Sequence, residues 1–292
     1  MLANSEQTQP FTEIISKLKL HLDRSWLKHD KTSFNSASVA VTDNTLHYSG
    51  LVESRTHLLD VTSEHAVLAL ATAAKDPHIK EIVSMVQGNF ELSPLIIKIL
   101  ADHTRRTGTP IKYTVFDIDG KELFTCDNAS DLYYAPKTEI LEKIKTWEPR
   151  KNKTTIDQSI PIEQQLRTYA EKGMQTHFSA GTKSLYGAAV IANGKIYYSG
   201  VYSSFDKRLN LHAEMVAAIS AIMDGNREIT HVGLISTKFE KEPCHMCGCC
   251  RQFFSEIQQK TGKEINIVAF SMNGKNSQHR LSEYLPYGWH SG

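Results

Sequence analysis

Long apolar runs are missing from this 292-residue chain. No stretch approaches the roughly 18–20 apolar residues that a membrane-spanning helix needs, and the first ten residues are polar, unlike a secretory leader. An excess of charge is missing too. Basic residues number 33 and acidic ones 32, a formal net charge of +1. The overall field therefore recruits no polyanion, which argues against nucleic acid as a partner. Cysteine is scarce and unevenly placed: of five, Cys126 stands alone, while Cys244, Cys247, Cys249 and Cys250 fall within seven residues. Disulfides among such close neighbours would be strained, so the cluster reads as reduced thiols suited to a metal. The expectation is a cytoplasmic protein with enough chain for two cores and no membrane partner.

What is present is a repeat. At an offset of about 150 residues, Tyr48-Ser49-Gly50 matches Tyr198-Ser199-Gly200, Leu59 falls on Leu209, Glu64 on Glu214 and Ala71 on Ala221. With a small shift, Thr107-Gly108 matches Thr261-Gly262, Phe116 falls on Phe270 and Gly120-Lys121 on Gly274-Lys275. A register sustained this far indicates a duplicated domain.

Each copy has the same pattern. Helical periodicity runs through residues 11–25 and 162–176. A hairpin follows, with strands 38–41 and 46–50 around Asp43-Asn44, or 188–192 and 196–200 around Asn193-Gly194. Next come a helix carrying Glu64 or Glu214, a strand at 81–86 or 231–237, another helix, and a strand at 111–118 or 265–272. Helices alternating with strands predict an α/β fold in each copy, a mixed sheet covered by helices. The expected organisation is a first copy at 1–126, a connector at 127–160 with a solvated basic run from Arg150 to Lys153, and a second copy at 161–292.

The copies differ in chemistry. The second holds His212-Ala213-Glu214 and, some thirty residues on, Pro243-Cys244-His245-Met246-Cys247-Gly248-Cys249-Cys250-Arg251-Gln252. Imidazole and thiolate are zinc ligands, and three of them leave a fourth tetrahedral position for water. A structural site would more commonly close with four protein ligands in two separated pairs. Where the second copy has His212, Cys244, Cys247 and Cys250, the first has Thr62, Phe90, Ser93 and Ile96; only the acid, Glu64, remains, so one zinc per chain is expected. His65, beside Glu64, has no ligand partners in sequence and reads as a structural or surface residue. Alone, Glu214 would be an ordinary helix carboxylate; beside His212 and the cysteines it becomes a candidate proton carrier.

The residues His212-Ala213-Glu214, Cys247-Gly248-Cys249-Cys250-Arg251-Gln252-Phe253 and Arg280-Leu281-Ser282-Glu283-Tyr284-Leu285-Pro286-Tyr287-Gly288-Trp289 resemble the three main motifs of the cytidine deaminase family, and Gly187-Ala188-Ala189 resembles its opening strand. The likeness covers residues 162–289. It implies a duplicated cytidine-deaminase-like fold and a zinc-dependent hydrolytic deaminase of cytidine or deoxycytidine, with a role in pyrimidine nucleoside salvage. Glu214 would be the catalytic acid–base. His212, Cys247 and Cys250 would hold zinc, with Cys244 as the alternative third ligand because Pro243-Cys244 also fits the wider superfamily. Cys249 reads as a buried or adjacent thiol. Arg251 would donate to a thiolate from behind, and Trp289 would pack over a base or serve as a core or dimer contact. The two-copy plan resembles the family's dimeric form, normally with the active copy first, and implies a homodimer with a degenerate N-terminal copy.

One part of the family pattern is absent. The ribose-reading Asn-x-Glu pair is replaced by Tyr202-Ser203-Ser204 in the second copy and by Val52-Glu53-Ser54 in the first. Tyr202 and Ser204 then become candidates for reading a different sugar or substituent, with a structural role as the alternative. The small-molecule substrate is expected to be a pyrimidine nucleoside. Another aminated heterocycle is the alternative, followed by cytosine editing in nucleic acid and by a non-catalytic zinc protein.

Overall fold

The computed structural model describes residues 8–26, 34–54, 60–132, 144–145, 147–179, 183–204, 209–286 and 288. The chain forms two compact units, one built from 1–53, 60–71 and 77–137, the other from 54–59, 72–76 and 138–292.

In the first unit, helix α1 (Thr8–Arg24) precedes the hairpin β1 (Asn35–Val41) and β2 (Leu46–Gly50). Then follow α2 (Ser63–Ala73), β3 (Glu81–Gln87), α3 (Pro94–Thr107), β4 (Lys112–Asp117) and β5 (Glu122–Cys126). The sheet order is β2-β1-β3-β4-β5, with β3 and β4 parallel and the other pairs antiparallel. Leu18 and Leu22 of α1 pack on Ala37, Val39, Val83 and Met85.

The second unit opens with a short strand, β6 (Lys153–Thr155), then α4 (Ile162–Met174), the hairpin β7 (Tyr186–Ala192) and β8 (Lys195–Gly200), and α5 (Ala213–Met223). It continues with β9 (Ile229–Ser236), α6 (Gly248–Thr261), β10 (Asn266–Phe270), β11 (Asn276–Arg280) and the single turn α7 (Leu281–Tyr284). The sheet order β11-β10-β9-β7-β8-β6 repeats the first unit's order and adds β6 at one edge. Again only the pair β9–β10 is parallel among the corresponding five strands.

Strand β7 is buried at six successive residues, which requires cover on both faces of the sheet. Leu166, Ala170 and Met174 of α4 pack on Ala189 and Ile191. The alternate face falls to α5, whose sequence AEMVAAISAIM is buried at nearly every position, as a helix enclosed on all sides must be. A Cβ on Gly200 would meet the backbone nitrogen of His177 at 2.5 Å, and one on Gly50 would meet the carbonyl of His21 at 2.4 Å. The tripeptide shared by the two copies thus ends in glycine because chain passes against it. Asn193 and Gly194 both have positive φ, 47° and 74°, the turn geometry that Asn-Gly favours in a two-residue hairpin.

The duplicated α/β architecture agrees with the sequence pattern. Strands β5, β6 and β11 add to it. Strand β6 lies within the stretch read as a connector, and its Lys153 is no free solvated charge: it pairs with Asp224 at 2.7 Å while its backbone pairs with β8. Asp224 also accepts from Tyr197 at 2.6 Å. No described helix is long and apolar enough to cross a membrane.

Candidate metal centre

Two helix starts make the centre. His212 is the N-cap of α5 and Cys247 the N-cap of α6, both in extended backbone (φ −69°, ψ 154° and φ −72°, ψ 165°). Side chains at these positions sit where unpaired N–H groups and the helix dipole favour negative charge, which suits a thiolate. Cys250 lies just under one turn further along α6. Nδ1 of His212 is 3.4 Å from Sγ of Cys247 and 3.2 Å from Sγ of Cys250. A tetrahedral zinc with nitrogen at about 2.0–2.1 Å and sulfur at about 2.3 Å places N and S about 3.5 Å apart. The donor set and its spacing therefore fit zinc. Among the described residues this is the only group of three or more His, Cys, Asp or Glu ligand atoms drawn this close together, all within 4.8 Å.

Cys244, the alternative ligand, is outside that group. It is buried, and its backbone N–H donates to the Phe270 carbonyl at 3.0 Å. Cys249 is exposed.

Charge in the centre is strongly perturbed. Burial pushes the Glu214 carboxyl above its ordinary range, against the opposing pull of His212. Glu214 is only 7% exposed. The hydrogen bond to Cys247 raises His212 to about 9. The hydrogen bond from Cys250, together with His212, lowers Cys247 to about 3. Burial pushes the thiols of Cys250 and Cys244 up, the latter to about 12. The shifts run in opposite directions, down for Cys247 and up for His212 and Cys250, and metal binding favours the deprotonated form of all three.

Arg251 directly follows Cys250 on α6. Its Nε donates to the Met246 carbonyl at 2.8 Å and its Nη1 to the Tyr284 carbonyl at 3.4 Å, with the guanidinium 3.9 Å from the centre of the Tyr284 ring. The Tyr284 hydroxyl is hydrogen-bonded to Nδ1 of His245, and His279 stacks on the Tyr284 ring at 4.8 Å. Tyr284 lies inside a motif string visible in the sequence, but its partnership with His245 spans 39 residues and has no local signal.

The structure does not bring the Tyr202 ring to an open surface. It is 1% exposed and stacks on Phe178 with centroids 5.4 Å apart and planes within 7°. Its backbone bridges to Phe178 and Leu211. The backbone N–H of Ser204 donates to Oδ1 of Asn210 at 2.9 Å. Trp289 lies outside the described residues.

In the first unit, Ser93 caps α3 as Cys247 caps α6, and Gly108 ends α3 in left-handed geometry as Gly262 ends α6. The metal chemistry is replaced by hydroxyls. Glu64, buried, accepts from Ser84 at 2.9 Å, Tyr113 at 3.0 Å and Ser63 at 3.3 Å. Ser38 joins the cluster through Ser63 and Ser84, at 2.8 and 2.7 Å. A buried carboxylate needs such donors, and here three hydroxyls supply them.

Residues 161–263 match the family described as the cytidine and deoxycytidylate deaminase zinc-binding region. Among solved structures, the chain is similar to the cytidine deaminase of Burkholderia pseudomallei, with 22% identity over 44% of this chain and 100% of that one, at a TM-score of 0.40. It is also similar to the cytidine deaminase of Mycobacterium leprae (17% identity, 44% and 99% covered, TM-score 0.36) and to that of Bacillus anthracis (22%, 44% and 90%, TM-score 0.36). No curated protein matches the chain.

Proposed function

We propose that this chain, whose residues 161–263 match the cytidine and deoxycytidylate deaminase zinc-binding region, removes the exocyclic amine of cytidine or deoxycytidine by hydrolysis, leaving the uracil ring and ammonia. The observation that carries this reading is a buried Glu214 next to the converging His212, Cys247 and Cys250. Those three residues would hold one zinc per chain, and zinc supplies the Lewis acidity that lets a water ionise near neutral pH.

The chain's own part is proton handling. The Glu214 carboxylate takes a proton from the attacking water and passes it to the ring nitrogen, then takes the remaining proton of the added hydroxyl and gives it to the departing amine as the carbonyl forms. Its raised affinity for a proton suits a group that must both accept and donate near neutrality. Water adds at the carbon bearing the amine, the C–N bond breaks, and nitrogen leaves as ammonia, so atoms balance without another reactant. The first unit, with hydroxyls around Glu64 in place of ligands, would be a structural partner to the catalytic unit. Two chains would associate as a homodimer.

A second reading keeps the reaction and changes the substrate to another aminated heterocycle or a modified nucleoside. It is favoured by Tyr202-Ser203-Ser204 standing where the family has its ribose-reading pair, and by the burial of the Tyr202 ring. A site made for a sugar hydroxyl discriminates by paired polar groups, and their loss relaxes that preference.

The test is ammonia release from a panel of cytidine, deoxycytidine and modified aminopyrimidine nucleosides, run with wild type and Glu214→Gln. Turnover of cytidine or deoxycytidine that falls about 10²–10⁴-fold in the variant, with zinc content unchanged, is the expected result. Turnover confined to other heterocycles would establish the second reading. A variant as active as wild type would overturn the role of Glu214, and silence across the whole panel would overturn the deaminase reading.

A further inference from the structure

The ligand-bearing turn before α6 is held from outside by one residue of the C-terminal motif. The turn from Pro243 to Cys247 carries His245, which is exposed, near its middle. At one end, the Cys244 N–H is tied to Phe270, and at the other the Met246 carbonyl accepts from Arg251. His245 itself is tied by its side chain to the Tyr284 hydroxyl.

Tyr284 makes four further contacts, one of them ring to ring with His245, centroids 5.9 Å apart. Its ring lies under the Arg251 guanidinium at 3.9 Å, its carbonyl accepts from Arg251 at 3.4 Å, and its ring stacks on His279 at 4.8 Å with planes within 15°. The ring of His279 also lies 6.2 Å from that of His245. Arg251 directly follows Cys250, so Tyr284 grips both the turn that ends in Cys247 and the helical turn that carries Cys250.

We propose that Tyr284 is a positioning residue for the metal centre. Its hydroxyl–His245 bond and its ring–Arg251 contact clamp the C-terminal turn onto the Pro243–Cys247 turn and fix the separation of the two cysteine ligands. The inference rests on the proposed zinc reading of the same site. Its physical basis is preorganisation: a ligand held in place by outer contacts loses less freedom on binding metal, and outer partners commonly alter metal affinity by about 10–100-fold. Both contacts involve groups that can be removed separately. Phenylalanine keeps the ring for Arg251 and His279 and deletes the tie to His245, whereas alanine deletes both.

The experiment measures zinc release from the full-length, zinc-loaded protein into an excess of a chromogenic chelator, alongside thermal unfolding. Tyr284→Phe is expected to release zinc about fivefold faster than wild type, and Tyr284→Ala more than about tenfold faster, within the range of outer-contact effects. His245→Ala, which also deletes its ring contacts with Tyr284 and His279, should release zinc at least as fast as Tyr284→Phe, and the double variant should be no faster than His245→Ala alone, because both single variants lose the same bond. If His245→Ala and Tyr284→Phe multiply their effects, the shared clamp is wrong. If both keep the wild-type release rate, even with a lowered unfolding temperature, Tyr284 is merely structural and the proposal falls. If the wild-type chain takes up no zinc, the zinc reading itself fails and this inference with it; zinc uptake with unaltered release sinks the clamp alone.

Discussion

Nδ1 of His212 lies 3.4 Å from Sγ of Cys247, and each residue is the N-cap of its own helix. Two rigid elements therefore present ligands from their starts, and the third, Cys250, follows just under one turn along α6. The geometry leads to an ordering of the cysteines. Cys247→Ser and Cys250→Ser should each reduce bound zinc from about one per chain to near zero, and Cys244→Ser should leave it intact. Elemental analysis of the purified variants checks this. Zinc lost on replacing Cys244 but kept on replacing Cys250 would reverse the assignment of the third ligand.

Tyr202 stands where the family reads a ribose, but its ring is stacked on Phe178 and almost wholly covered. Tyr202→Ala should consequently act on stability. Removing a buried aromatic costs about 3–5 kcal/mol, readable in urea unfolding of the full chain. Tyr202→Phe, which keeps the stack, should leave KM within about twofold of wild type, below the tenfold that 1.4 kcal/mol of lost binding would produce. A large rise in KM with unchanged unfolding would instead place the hydroxyl at the substrate.

Acid should weaken the first unit through a buried histidine. His103 is fully buried, its Nε2 2.8 Å from the Pro77 carbonyl, and burial pushes it down to about 4; Asp102 opposes this shift, while Arg106 and His78 add to it. An unfolded histidine titrates at about 6.5. Between these two values the unfolded chain binds the proton and the folded chain does not. Stability is thus fully present above about pH 6.5, declines as pH falls towards 4, and changes no further below that. The ceiling on this contribution is about 3 kcal/mol. His103→Gln should flatten the dependence of unfolding free energy on pH between 7 and 5; an equal slope in wild type and variant would remove His103 as its source. His21, also driven to about 4 by burial and by Arg24, supplies part of the slope that remains.

Much of the fold is legible because buried segments advertise themselves. The Asn193-Gly194 turn, the apolar strands β3, β7, β9 and β10, and the shared Tyr-Ser-Gly tripeptide all carry local or repeated signals. Strands β5 and β11 do not. Their burial patterns contain no fully buried residue, so an amino-acid pattern for a covered face was absent, and only pairing with β4 and β10 makes them strands. Strand β6 is shorter still, and its three residues gain their order from β8 and from the Lys153–Asp224 pair.

The candidate centre divides in the same manner. His212, Glu214 and Cys247 are legible because their types and spacing admit little else. The choice between Cys244 and Cys250 is not, since Cys-x-x-Cys reads equally well from either side of Cys247. The start of α6 at Gly248 decides the geometry: it leaves Cys244 in an extended approach paired with Phe270 and carries Cys250 round beside His212.

The sequence by itself determined that the chain is a duplication, that only the second copy carries the His-Ala-Glu and clustered cysteine segments, and that an acid stands next to that histidine. These are properties of residue type and local spacing. The tertiary structure alone decided which thiols converge, that the Tyr202 ring is covered, that hydroxyls gather around Glu64, and that Tyr284 reaches back to His245. Each of those depends on segments far apart in the chain being brought together by burial, and no local pattern encodes that distance.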